Sequence, residues 1–223
     1  MTALNVVAID GPAGSGKSTV ARLVADRLGL THIDTGAMYR ALTIKVLRAG
    51  ISVTDETAIA GAVAHVDIEF QGKDILLDGE VVTEEIRSAK VTKHVSPLSA
   101  YPVVRRALLA RQRSFAENGS SIVMEGRDIG TVVFPEARWK FFLDAKPEVR
   151  AERRYRELVA AGRNPDPRKV LFDIIERDRR DSERITAPLK PAAEAVIVDT
   201  SQLSIEQVVS RIAKAVQTPA RAS

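Results

Sequence analysis

The sequence predicts an α/β fold of three layers, in which a five-stranded parallel sheet lies between two layers of helices. Five short apolar runs are typical of buried parallel strands. They are residues 6–9, 31–34, 121–125, 139–144 and 195–199. Segments with apolar residues at helical spacing separate these runs, and this alternation is characteristic of a parallel sheet with helices on both faces.

A glycine-rich loop follows the first strand. Residues 11–18 read Gly-Pro-Ala-Gly-Ser-Gly-Lys-Ser, which fits the pattern G-x-x-x-x-G-K-[ST] of a phosphate-binding loop. The glycines let successive backbone N–H groups point at phosphates, Lys17 brings a mobile positive charge, and the Ser18 hydroxyl suits Mg²⁺. A helix follows up to Gly29 and directs its positive N-terminal end at the same anion. Strand, loop and helix together predict a nucleotide site.

The region around residues 66–83 breaks the α/β rhythm. Its apolar residues alternate with period two, and Asp78-Gly79 is typical of a tight hairpin turn, which predicts a small antiparallel β insert. Helices are expected on either side of Pro97, and another from Pro102 to about Asn118. Near the C-terminus, residues 204–207 form a capping box that opens the last helix, and we expect the tail 218–223 to be frayed.

Several arginines occupy positions that suit phosphate binding. Arg40, Arg127 and Asp128 follow predicted strands closely, where a parallel sheet has its active site. Two arginine-rich helices are joined by a connection at residues 160–167 and predict either a salt-bridged surface pair or a lid over transferring phosphates. Their arginines are Arg150, Arg153, Arg154, Arg156, Arg177, Arg179, Arg180 and Arg184.

Composition narrows the functional class. The net charge is +4, but only 4% of residues are aromatic, which argues against polynucleotide binding as the main function. The chain has no cysteine, no apolar stretch of membrane-spanning length, and too few residues before the loop for a signal peptide. We therefore expect a cytoplasmic protein. His32, His65 and His94 are scattered, suggest no metal cluster, and are interpreted as structural.

The chain resembles the bacterial-type cytidylate kinases, a family of nucleoside monophosphate kinases with the P-loop NTPase fold. Four motifs carry the resemblance, together with the β insert; they lie at residues 9–18, 34–40, 125–135 and 176–189. The resemblance implies transfer of a phosphoryl group from ATP to CMP or dCMP with Mg²⁺. It also implies a monomer with small-molecule substrates and no nucleic acid or membrane partner.

The resemblance further implies a role for each matching residue. Residues matching ATP contacts are Gly11, Pro12, Ala13, Gly14, Ser15, Gly16, Lys17, Ser18, Thr19, Arg153 and Arg154, with Ser18 as the metal ligand. Residues matching CMP contacts are Thr35, Arg40, Ser96, Arg105, Arg127, Asp128, Arg177, Asp181 and Arg184. Lys17, Arg127 and Arg184 match catalytic positions. Among the CMP contacts, Ser96, Arg105 and Asp128 match cytosine recognition, since a carboxylate accepts from the N4 amino group and repels the O4 of uracil.

The same resemblance implies three parts. A core would comprise residues 1–35, 119–150 and 185–217, an NMP-binding insert residues 36–118, and a lid residues 151–184.

Three alternative functions stay open: another P-loop kinase acting on UMP, AMP, shikimate or dephospho-coenzyme A, a GTP-binding switch, and a nucleic-acid-stimulated ATPase. The switch is disfavoured because none of the three asparagines precedes a lysine, as a guanine signature requires.

Overall fold

The computed structural model describes residues 6–218, which divide into two units. The first unit comprises the described residues up to Ile33, then Ala116–Glu183 and the residues from Ala187 onward. The second comprises Asp34–Phe115 and Arg184–Thr186. Of the tail that we expected to be frayed, residues 219–223 lie outside the described part of the chain.

The strands and helices follow one another in this order: β1 (Val6–Asp10), α1 (Lys17–Leu28), β2 (Thr31–Asp34), α2 (Thr35–Arg48), α3 (Glu56–Val63), β3 (Ile68–Gln71), β4 (Asp74–Leu77), β5 (Glu80–Val81), α4 (Ala89–Ser99), α5 (Pro102–Ser114), β6 (Ile122–Gly126), β7 (Trp139–Asp144), α6 (Pro147–Ala160), α7 (Pro167–Glu183), β8 (Val196–Asp199) and α8 (Ile205–Gln217). Short 3₁₀ helices span Glu85–Arg87 and Glu117–Gly119, and a π-helical turn spans Ile129–Val133.

The sheet of the first unit has five strands in the order β2-β6-β1-β7-β8. β1 pairs in parallel with both β6 and β7, and β7 pairs in parallel with β8. Every residue of β1 and β6 is buried, as expected for central strands covered on both faces. The predicted α/β class and the five predicted strands are therefore confirmed.

The register of the sheet fixes what lies at its carboxyl edge. Asp10 is paired with Gly126 on one side and with Phe142 on the other, so β1 and β6 end at the same level and β7 ends two residues further on. The segments that follow these strands therefore emerge together. Below this edge, apolar side chains of the sheet pack against α1 and α8; they include Val7, Ile9, Val20, Val24, Val123, Phe141, Val208 and Ile212.

The second unit contains the antiparallel insert. β4 pairs with β3 and β5, and Asp78 and Gly79 in the tight turn between β4 and β5 have φ values of 50° and 83°. Positive φ at both central positions is what a two-residue hairpin requires, so the predicted hairpin is confirmed. The insert packs its buried residues against α2, α4 and α5 in a core that includes Met38, Leu42, Ile59, Ile75, Leu77 and Leu108.

Three helix boundaries differ from the predictions. Pro97 lies inside α4, which ends only at Ser99. Proline has no backbone N–H and removes one helical hydrogen bond, and only two helical residues follow it. α5 ends at Ser114, before the predicted boundary, and the ring of Phe115 packs edge-to-face on Phe70 at 5.7 Å. Arg184 follows the last residue of α7 and is not helical.

The capping box of the last helix is confirmed. Ser204 accepts from the N–H of Gln207, and the Gln207 side chain accepts from the N–H of Ser204. Within residues 6–218, no helix combines the length and apolarity needed to cross a membrane.

Candidate active site

The phosphate-binding loop is built on glycines that no other residue can replace without strain. Gly11, Gly14 and Gly16 have φ values of 147°, 74° and 90°. A Cβ at Gly11 would lie 2.0 Å from the carbonyl oxygen of Leu143, a backbone atom that cannot move aside alone. The loop therefore passes directly over β7, and its conformation depends on this close approach.

Lys17 lies at the start of α1 with its side chain folded back over the loop. Its Nζ donates to the carbonyl oxygen of Pro12 at 2.6 Å, and the residue is only 6% exposed. Burial lowers the pKa of the Lys17 ammonium well below its ordinary value, and the positive charge of Arg127 lowers it further. An anion beside Lys17 would oppose both effects, because it favours the charged form of the ammonium group.

The carboxyl group of Glu125, for which the sequence predicted no role, faces Ser18, the last residue of the phosphate-binding motif. Ser18 Oγ donates to Glu125 Oε2 at 2.8 Å, and Glu125 Oε1 lies 3.1 Å from His32 Nε2. Hydroxyl and carboxyl oxygens are suitable ligands for Mg²⁺. Among the described residues no cluster of three or more His, Cys, Asp or Glu side chains that could hold a metal ion is present.

Asp10, at the end of β1, is a second carboxyl group for which the sequence predicted no role. Its two oxygens accept the N–H groups of Ile129 and Gly130, each at 2.8 Å. Burial raises its pKa from 3.8 to about 6, although these two hydrogen bonds lower it. Asp10 thus fixes the π-helical turn that begins directly after Asp128, and with it the position of Asp128.

Four predicted CMP contacts lie close together in the first unit. Arg127 Nε donates to Asp181 Oδ2 at 3.2 Å, and Arg177 Nε lies 3.8 Å from the same oxygen. Asp181 is 4% exposed and its backbone oxygen accepts from Leu189. Asp128, also 4% exposed, follows Arg127 directly. Here Asp181 pairs with two arginines, so its predicted sugar contact would have to coexist with these ion pairs.

Arg150 lies on α6, the first of the two arginine-rich helices, and contacts the phosphate-binding loop, although the sequence predicted no separate role for it. Its guanidinium donates to the carbonyl oxygens of Ala145 at 2.7 Å and Ala13 at 3.0 Å, and forms an ion pair with Asp178 at 2.6 Å. Burial raises the pKa of Asp178, and the Arg150 charge opposes that shift. Helical spacing alone does not distinguish this buried arginine from its exposed neighbours.

The two predicted lid arginines differ in their surroundings. Arg153 donates to the hydroxyl and the backbone oxygen of Thr200 at 3.0 and 2.6 Å, and Thr200 Oγ1 donates in turn to Ser15 of the loop at 3.1 Å. Arg154 instead pairs with Glu157 at the surface, at 2.9 Å. Arg153 is therefore connected to the phosphate-binding loop through Thr200.

The remaining predicted CMP contacts belong to the second unit. Arg40 donates to the carbonyl oxygen of Ile86 at 3.0 Å and to Thr92 Oγ1 at 2.9 Å. Arg105 donates to the carbonyl oxygen of Ser99 at 3.1 Å, and its guanidinium lies 5.4 Å from the centre of the Tyr39 ring.

Arg40 of α2 is therefore held by a backbone oxygen and a hydroxyl, and Arg105 of α5 by a backbone oxygen and an aromatic ring. Ser96 is buried one helical turn before the end of α4, where Ser99 Oγ donates to its carbonyl oxygen at 2.9 Å. Thr35 is buried at the first position of α2, which Asp34 caps. Arg184 also belongs to this unit.

Comparison with known proteins identifies the family of this chain. The sequence model of the cytidylate kinase family matches residues 7–218. A cytidylate kinase of Nocardia farcinica is 50% identical over 95% of this chain and 93% of its own length. A cytidylate kinase of Caldanaerobacter subterraneus is 50% identical over 95% of this chain and 94% of its own.

Among solved structures, an uncharacterized protein from Eubacterium ventriosum shares the fold, with a TM-score of 0.53. It is 12% identical to this chain, and the match covers 96% of this chain and 99% of that one. Likeness at this level concerns architecture alone, whereas the family match extends over nearly the whole sequence. The phosphate-binding loop, the sheet and this match together show that the chain belongs to the cytidylate kinase family.

Proposed function

We propose that this protein transfers the γ-phosphoryl group of ATP to CMP, giving ADP and CDP, and that dCMP is a second acceptor. The observation that carries the proposal is the buried Lys17 beside a loop of glycines with positive φ, in a chain that matches cytidylate kinases from residue 7 to residue 218. The loop suits the phosphates of a nucleoside triphosphate. Family membership supports CMP as the acceptor.

The residues of the loop would bind and orient the ATP phosphates. Backbone N–H groups of residues 13–18 would surround the β-phosphate, and Lys17 would leave the oxygen of Pro12 for the β- and γ-phosphates. Ser18 and Glu125 would hold Mg²⁺, which supplies charge neutralisation between the phosphate oxygens. Arg153 is the nearer candidate for a further ATP contact, because Thr200 links it to Ser15.

The transfer itself needs no general base from the protein. The phosphate of CMP has a second pKa of about 6 and is already an anionic nucleophile at neutral pH. Positioning and charge neutralisation therefore account for most of the catalysis. Arg40, Arg127 and Arg184 would hold the acceptor phosphate or the transferring group, and Arg127 would exchange its partner Asp181 for a phosphate oxygen.

Cytosine would be selected by Asp128 together with Ser96 and Arg105. The N4 amino group of cytosine is a donor, while N3 and O2 are acceptors. A carboxylate, a hydroxyl and a guanidinium satisfy that edge, whereas the O4 acceptor of uracil would face the Asp128 carboxylate without a donor. Arg177 and Asp181 would contact the sugar.

We also propose the three-part organisation that the resemblance implies, with residues 36–118 as the NMP-binding part and residues 151–184 as a lid. Closure of such a lid would exclude water, which competes with CMP for the phosphoryl group. We further propose a monomer that acts in the cytoplasm.

A coupled assay of ADP release tests the function. MgATP is supplied with CMP, dCMP, UMP, AMP, GMP, shikimate or no acceptor. Strong release with CMP and dCMP and little with the others supports the proposal. Release with a different acceptor would support another P-loop kinase instead, and release without any acceptor would favour a nucleotide switch or an ATPase.

A further inference from the structure

Two consecutive hydrogen bonds join the phosphate-binding loop to the edge strand of the sheet. Ser18 Oγ donates to Glu125 Oε2 at 2.8 Å, and Glu125 Oε1 lies 3.1 Å from His32 Nε2. The Glu125 side chain is 3% exposed and that of His32 is 23% exposed. The carboxyl group of Glu125 is therefore held at both of its oxygens, once by α1 and once by β2.

The chemistry of the groups sets the direction of these bonds. A serine hydroxyl has one hydrogen and two lone pairs, whereas a carboxylate oxygen can only accept. Ser18 therefore gives its hydrogen to Glu125, which leaves its lone pairs for a cation. His32 presents its Nε2–H to the second oxygen of the carboxylate. The hydrogen bond from His32 thus limits rotation of the Glu125 carboxylate, and the bond to this carboxylate limits rotation of the Ser18 hydroxyl.

We propose that His32 is a positioning residue for the Mg²⁺ of the nucleotide site, acting through the Glu125 carboxylate, which would hold the ion together with the Ser18 hydroxyl; this rests on the proposed function. Groups that hydrogen-bond to metal ligands orient them, and their loss commonly costs about 10–100-fold in metal affinity. Without the donor of His32, the Glu125 carboxylate is held at one oxygen only and rotates. The Ser18 lone pair is then no longer directed at one place.

The test measures the metal-linked part of ATP binding. Calorimetry gives the affinity for ATP with Mg²⁺ and with EDTA in the wild-type protein, in His32→Leu and in His32→Gln. We expect His32→Leu to reduce the Mg²⁺-dependent gain in ATP affinity about tenfold, while its affinity in EDTA stays close to that of the wild type. Glutamine carries an N–H at about the place of Nε2, so His32→Gln should recover most of the gain.

The matched control is His94→Leu, because His94 is half-buried on α4, away from Glu125 in the chain of hydrogen bonds, and its Nδ1 lies 2.8 Å from the carbonyl oxygen of Lys90. This variant should bind ATP as the wild type does under both conditions. An equal loss of affinity with and without Mg²⁺ in His32→Leu would reveal a merely structural histidine and overturn the inference, as would an unchanged gain.

Two further measurements keep the result interpretable. If His32→Leu does not fold, His32→Asn replaces it, since its side chain is too short to bring a donor to Glu125, and the same criteria apply. CDP formation by the wild-type protein is measured in parallel. Its absence would overturn the proposed function, whereas the inference is decided by the ratio of the two ATP affinities.

Discussion

The guanidinium of Arg150 and the backbone oxygen of Ala13 are joined by a hydrogen bond of 3.0 Å, so α6 is bonded directly to the phosphate-binding loop. The contact is reinforced at Gly14, where a Cβ would come within 3.1 Å of the Arg150 side chain. The conformation of the loop therefore depends on a residue far from it in sequence.

Replacing Arg150 by methionine should destabilise the protein and weaken ATP binding. Arg150→Met keeps the packing of the stem but leaves the Asp178 carboxyl and the Ala13 oxygen without this donor. We expect a loss of about 2–3 kcal/mol in the free energy of unfolding, since Asp178 keeps some solvent contact, and a higher KM for ATP. The control Arg156→Ala removes an exposed pair with Glu152 and should cost at most about 1 kcal/mol. Equal effects in the two variants would contradict this role.

Binding of ATP should be accompanied by proton uptake at Lys17. Burial lowers the pKa of Lys17, and phosphates favour its charged form, so the bound state holds the proton at pH values where the free protein has released it. ATP affinity therefore falls as pH rises through the lowered pKa. Calorimetry at a series of pH values, in buffers of different ionisation heat, measures the uptake. It should disappear in Lys17→Met, which should also lower kcat by at least about 100-fold; uptake that persists in this variant would come from another group.

The stability contributed by Asp10 should depend on pH in the opposite way to that of an ion-paired carboxylate. Its folded pKa of about 6 lies above the ordinary 3.8, so between these values the folded state binds more protons than the unfolded state. Stability from this group is therefore greatest below pH 4 and declines as pH rises to about 6, by about 3 kcal/mol. Asparagine at this position cannot titrate.

Denaturant unfolding at several pH values checks this expectation. The free energy of unfolding of the wild type minus that of Asp10→Asn should fall between pH 4 and pH 6.5. A difference that rises over this range would mean that the two N–H groups of Ile129 and Gly130 outweigh burial.

Asparagine at position 128 should change the acceptor preference. Asp128→Asn offers the uracil O4 an amide donor where the carboxylate would repel it, and we expect the ratio of kcat/KM for CMP to that for UMP to fall at least about tenfold. Steady-state assays with both acceptors measure the ratio. A parallel loss with CMP and UMP would indicate a damaged loop after β6 rather than altered base recognition.

The sequence predicted most of the sheet because its strands have distinctive local signals. The continuous apolar run of β1 and the Asp78-Gly79 turn of the insert both encode their structure within a few residues. Boundaries that depend on tertiary packing were predicted less well. Pro97 marks a helix end only loosely, since α4 tolerates it two residues before its own end, and Phe115 ends α5 at a point where its ring packs on Phe70.

The residues of the candidate site likewise divide into those that a local motif identifies and those whose role depends on tertiary contacts. Gly11, Lys17 and Ser18 belong to a motif whose spacing is dictated by the phosphate itself, so the sequence identifies them. Arg150 and Asp10 act through partners more than 100 residues away in sequence, Ala13 and Ile129 respectively. No local pattern distinguishes such residues from an ordinary surface arginine or a strand-terminal aspartate.

The register of β1 against β6 has a consequence for how such a site can change during evolution. Glu125 is opposite Ile9, and a slip of one residue would turn its carboxyl group to the other face of the sheet, away from Ser18. The spacing between these two groups thus depends on the pairing of β1 with β6 as well as on the glycine loop that places Ser18. We expect the insertion of a single residue within β6 to shift this register and to separate the hydroxyl from the carboxylate.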